Sequence, residues 1–157
     1  MKRETLFLKV VVLLMGILIL ALCLFGLPSI ANEAAEQYPA YWVYPVIIGM
    51  YVAAIPFYVA LYQALKLLSF IDRNIAFSEL SVKALKTIKY CAISISLLYA
   101  MDMPFFYLVG EKDDAPGLIL LGLVITFAPI VIAVFAAVLE KLLKAAIDIK
   151  SENDLTI

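Results

Sequence analysis

Asp102 is the residue at which chemistry could most readily be done. It is the one charged side chain well inside any apolar run of the chain, seven residues before the end of Ile88–Val109. An acid at the middle of a membrane helix costs up to about 3 kcal/mol on insertion scales, and such residues usually face the protein interior. No base lies at comparable depth, and Lys112, beyond the helix end, is the nearest candidate partner. When protonated, Asp102 can donate a hydrogen bond to the Ala100 carbonyl freed by Pro104, or to Tyr99. Asp102 and Tyr99 are therefore the candidate intramembrane polar site. Asp102 reads either as a structural acid, hydrogen-bonded or reaching the outer interface, or as an ion- or ligand-sensing group. Its aromatic neighbours Tyr99, Phe105, Phe106 and Tyr107 read either as pocket lining or as an interfacial belt.

Other chemistry is poorly provided for. The chain has no histidine, the commonest metal ligand and general base. Its two cysteines stand in apolar runs without C-x-x-C spacing. There is no Gly-rich phosphate loop, no acid pair at helical spacing inside a span and no nucleophile with a base. No catalytic residue, metal site, cofactor or direct nucleic-acid binding is expected. Ser94, Ser96 and Thr126 are expected to bond back to their own helices. Gly49-x-x-x-Ala53, Ala60-x-x-x-Ala64 and Ala133-x-x-x-Ala137 would allow close helix contact.

The elements that hold these residues follow from composition. Of 157 residues 66% are hydrophobic and 16% charged, against roughly 45–50% and about 25% in soluble domains. A water-soluble fold of this size cannot hide so much apolar surface, so the bilayer is the solvent. The fold expected is all-α: one integral membrane domain, a four-helix bundle with spans near 10–27, 41–65, 88–109 and 118–139 and a tail over 140–157. The first apolar run is 18 residues, about 27 Å as a helix, close to the roughly 30 Å hydrocarbon core. Ser29-Ile30-Ala31 has the small-x-small pattern of a cleavage site, but a signal peptide's apolar stretch is usually only about 7–15 residues. A retained first helix is expected rather than cleavage after Ala31.

The Pro28–Ala40 stretch reads as a connection closed by the surface-marking aromatics Tyr38, Tyr41, Trp42 and Tyr44. Pro45 and Pro56 are expected to bend the second span. Ser78 is placed to cap the third helix, with Glu79 in its positive first turn. Lys83, Lys86 and Lys89 are expected to face anionic headgroups, worth about 1 kcal/mol each. The tail is helical in pattern through about Lys150, with Leu139, Leu142, Leu143, Ala146 and Ile147 as an apolar stripe. Amphipathic cytoplasmic extensions are thus expected before the third span and after the fourth.

Lys and Arg number three before the first span, five between the second and third, and three after the fourth, with Lys112 alone in the other connections. That distribution predicts both termini in the cytoplasm. Cys23 and Cys91 then differ by about 15 Å in depth, beyond the roughly 7 Å a disulfide tolerates.

At Ala76-Phe77-Ser78, at Leu85-Lys86-Thr87-Ile88-Lys89-Tyr90 and at Glu152-Asn153-Asp154-Leu155-Thr156-Ile157, the chain resembles the small bacterial four-helix membrane proteins known as domain of unknown function 2975 (DUF2975). The likeness covers nearly the whole chain in layout and these segments residue by residue. It implies a multi-pass protein of the bacterial plasma membrane, often encoded beside a small Xre-type helix-turn-helix regulator, and it carries over no activity. Arg73, Ser78, Lys83, Lys86, Lys89, Glu152, Asn153 and Asp154 become candidate contacts for a cytosolic partner or for headgroups. A homo-oligomer forming a pore or small transporter around Asp102 is the competing expectation.

Overall fold

The computed structural model describes residues 3–156; Lys2, counted among the N-terminal cations, and Ile157, the end of the compared C-terminal segment, lie outside the described residues. The described elements are all helical: α1 (Arg3–Ala21), a π-helical turn (Leu22–Gly26), α2 (Leu27–Gln37), α3 (Ala40–Asp72), α4 (Glu79–Lys112) and α5 (Pro116–Thr156). α1, the π turn and α2 join into one rod, so four rods are long and apolar enough to cross a membrane. Each outruns the apolar run that announces it.

The largest departure from expectation is at 28–37, read above as connection and in fact helix. The Leu27 N–H bonds the Leu22 carbonyl five residues back, and this wider turn restarts the helix with Pro28 in its first turn, where a missing N–H costs little. The helix-favouring run Ala34-Ala35-Glu36 then carries it to Gln37. It stops at Tyr38, which is extended at φ −127° and ψ 154° as the residue before a proline must be. Pro45, Pro56, Pro104 and Pro129 all lie inside helices without ending them, as membrane helices tolerate.

α3 and α4 end alike. Asn74 (φ 60°) and Asp114 (φ 52°) adopt the left-handed conformation, and the N–H groups of Ile75 and Ala115 reach back to the carbonyls of Phe70 and Gly110 at 2.9 and 2.8 Å. Short polar side chains take the position that glycine usually occupies after a helix. Ser78 is the N-cap of α4 by backbone conformation, and its carbonyl accepts from Ser81 and Val82. Its hydroxyl makes no cap bond and donates instead to the Ile75 carbonyl at 2.7 Å. α5 continues past Lys150 to Thr156.

The rods pack in the order α1, α3, α4, α5, each on the next, while α1 and α5 share at most an incidental approach. The bundle wall is therefore incomplete between α1 and α5. α4, in the middle, buries the most residues, and small ones predominate in the core: Ala53, Ala84, Ala92, Ala133 and Ala136. Lipid tails are as apolar as any core, so small residues that let backbones approach do the work that hydrophobicity does in water.

α1 buries almost nothing and is tied to α3 by polar contacts seven residues apart. Lys9 pairs with Asp72 at 2.7 Å, and the Thr5 hydroxyl donates to the same carboxylate. The Tyr58 hydroxyl donates to the Gly16 carbonyl at 2.7 Å and the Tyr51 hydroxyl to that of Cys23 at 2.6 Å. A Cβ at Gly16 would meet Leu61 at 3.4 Å and Tyr58 at 3.7 Å, so this glycine lets the helices close to hydrogen-bonding range.

Candidate functional site

Asp102 lies in the α3–α4 interface, 5% exposed. It fits because Gly49 of α3 faces it: a Cβ built there would lie 2.6 Å from Oδ1 and closer still to Oδ2. Oδ2 is buried without a hydrogen-bond partner among the described residues. Among the described residues neither the Ala100 carbonyl nor Tyr99 accepts from it. Lys112 is occupied elsewhere. Its Nζ donates to the Gln37 carbonyl at 3.2 Å and sits over the rings of Tyr38 (5.2 Å) and Trp42 (5.6 Å), while the Tyr38 hydroxyl donates to the Asp113 carboxylate. The aromatic cluster thus latches the α2–α3 and α4–α5 turns together.

Tyr99, one turn before Asp102, opens onto a cavity of 490 Å³ that all four rods line. It runs beside α3 from Met50 to Ala64, about 21 Å, and beside α4 from Ile88 to Tyr99, about 16 Å. No residue lining it carries a charged side chain, and Tyr99 and Cys23 bring its polar side-chain groups, a hydroxyl and a thiol. Both cysteines are free. Ser96 also departs from expectation. Its hydroxyl crosses to the Thr126 carbonyl of α5 at 2.7 Å, whereas Ser94 and Thr126 bond back to Tyr90 and Gly122 as foreseen.

The candidate partner contacts gather at the end of the molecule where the chain starts and finishes. Lys83, Lys86 and Arg73 are exposed, without an ion-pair partner among the described residues, and Glu152, Asn153 and Asp154 are exposed on the last turns of α5. Ser78 is half-buried. Lys89 does not join them. It turns inward to Glu140 of α5 at 3.1 Å and lies 5.0 Å from the Tyr90 ring centre, and Lys144 meets the other Glu140 oxygen at 3.4 Å. Glu140 is the first residue past the apolar stretch 118–139. Burial pushes its carboxyl pKa up, but hydrogen bonds and charge from Lys89 and Lys144 outweigh burial and hold it below the usual value. This triad joins residues 51 apart in sequence, and only the Glu140–Lys144 spacing signals any part of it beforehand.

Four apolar rods with polar ties at their ends define a small multi-pass helical membrane protein. The profile described as "Protein of unknown function (DUF2975)" matches residues 29–157, and the chain belongs to that family. It is also 65% identical, over 99% of both chains, to "Uncharacterized membrane protein YoaS" of Bacillus subtilis (strain 168). No solved structure matches the chain.

Proposed function

We propose that the protein is the non-enzymatic membrane component of a regulatory pair in the bacterial plasma membrane, with both termini in the cytoplasm, holding or releasing a small helix-turn-helix regulator. The observation that carries this reading is the set of exposed polar residues at the termini end: Arg73, Lys83 and Lys86, and Glu152, Asn153 and Asp154 on the last turns of α5, which is one unbroken helix from Pro116 to Thr156. A face of mixed sign on rigid elements suits docking of a small folded partner. The Lys89–Glu140–Lys144 triad fixes α5 to α4 where that face begins. The eleven-to-one distribution of Lys and Arg supports the orientation. Pull-down from detergent is expected to recover the regulator, and Lys83→Glu with Lys86→Glu to lose it. Recovery of nothing, with no change in gene expression on deleting the protein, sinks the proposal, as does a reporter active in the periplasm when fused to the C-terminus.

Asp102 supports a second reading, a transporter or ion-conducting homo-oligomer, because its buried Oδ2 lacks a partner and intramembrane acids commonly mark ion pathways. Asp102→Asn is then expected to abolish a pH-dependent flux in liposomes. A flux unchanged by the substitution, or none in the parent protein, removes this reading.

A further inference from the structure

We infer that the 490 Å³ cavity is a binding site for one long hydrocarbon chain of a bilayer lipid, admitted through the gap between α1 and α5. The site is new with respect to the proposed docking face and does not depend on it. Three observations converge on this occupant.

The first is the chemistry of the wall. A buried water needs two to four polar partners, and the side chains lining this cavity include only one hydroxyl and one thiol. With no charged side chain to recognise a headgroup, the walls suit only the chain. The second is shape. Spread over about 18 Å of helix, 490 Å³ makes a slot longer than it is wide. A single hydrocarbon chain, whose carbons pack about 4 Å from their neighbours, fits; a helix about 10 Å across from a second copy does not. The volume is roughly three times the ~150 Å³ dry cavity that takes one benzene-sized molecule.

The third is access. Residues of α1 and of α5 both line the cavity, yet these rods hardly touch, so the slot between them opens sideways into hydrocarbon. One end of the cavity lies at Ala64 and Ile88, toward the termini side of α3 and α4. The other stops at Tyr99, where Asp102 and Gly49 close the α3–α4 interface one turn further on. That depth is at least the ~15 Å half-thickness of a ~30 Å core, so a lipid headed at the termini side must extend its chain fully to fill it. Chain length is selected and headgroup is not.

The full-length protein is placed in nanodiscs of phosphatidylglycerol or phosphatidylcholine carrying a diazirine near the end of one long acyl chain, irradiated and mapped by peptide mass. Adducts are expected on Met50, Ile95 and Ile125 with either headgroup. Ala60→Phe and Ala128→Phe, which fill the cavity from two different rods, are expected to reduce those adducts about tenfold, equivalent to ~1.4 kcal/mol, while adducts on the outward Phe25 and Phe135 persist. In the parent protein, an excess of unlabelled long-chain lipid is expected to compete and short-chain lipid to fail. Adducts confined to outward residues, equal competition by short chains, cavity adducts that survive both fillings, or crosslinks from the cavity to a second copy each overturn the assignment.

Discussion

A carboxyl group can be packed between two membrane helices only where the facing backbone leaves room, and opposite Asp102 the room comes from Gly49. The Cβ of an alanine there would overlap both carboxylate oxygens. Gly49→Ala is therefore expected to destabilise by about 1–3 kcal/mol, the usual cost of overpacking, and by clearly less when combined with Asp102→Ala, because the two sites share one contact. Unfolding titrations of the single and double variants in mixed micelles measure the coupling; additive effects would place the two residues apart. Asp102 stood out in the sequence as a charge inside an apolar run, and Gly49 as the first residue of a small-x-x-x-small pair. That these two face each other was not legible, since it depends on the rotation of both helices.

At the scale of elements, the rod that begins with α1 is held by polar ties rather than by a buried face: the Lys9–Asp72 pair near its start and two hydroxyl-to-carbonyl bonds further along. Tyr58→Phe and Tyr51→Phe keep the rings and remove the donors, so each is expected to loosen α1 by about 0.6 kcal/mol, and by no more than ~1.7 kcal/mol. Faster amide exchange over residues 10–26, with α4 and α5 unchanged, is the expected readout; uniform loss of protection would mean that these tyrosines support the whole bundle. Lipid facing and protein facing carry the same apolar signature, which is why the sequence announces α1 as a span and says nothing of how lightly it is attached. The helical stretch 28–37 escaped for another reason: its proline and acids read as a loop unless the π turn that resets the helix is known.

For the whole molecule, the Lys89–Glu140–Lys144 triad couples the membrane core to the projecting end of α5. The Glu140 pKa is held below its ordinary value of about 4.5, so its contribution to stability is fully present above that value and is lost as pH falls through the lower, folded value. Thermal unfolding in detergent is expected to show an acid-side loss of stability in that range which Glu140→Gln abolishes, the variant starting on the order of 1–3 kcal/mol less stable. An identical acid profile in the variant would remove Glu140 from the linkage. By itself the sequence determined that lipid is the solvent, that four rods cross it, and that one acid lies deep within them, because run length and charge placement answer directly to a hydrocarbon layer about 30 Å thick. Tertiary structure alone decided which faces meet: the inward turn of Lys89, the crossing of Ser96 to α5, the gap between α1 and α5 and the chamber behind it. Among helices that are apolar all round, periodicity does not distinguish the side that touches protein from the side that touches lipid, and only packing makes that choice.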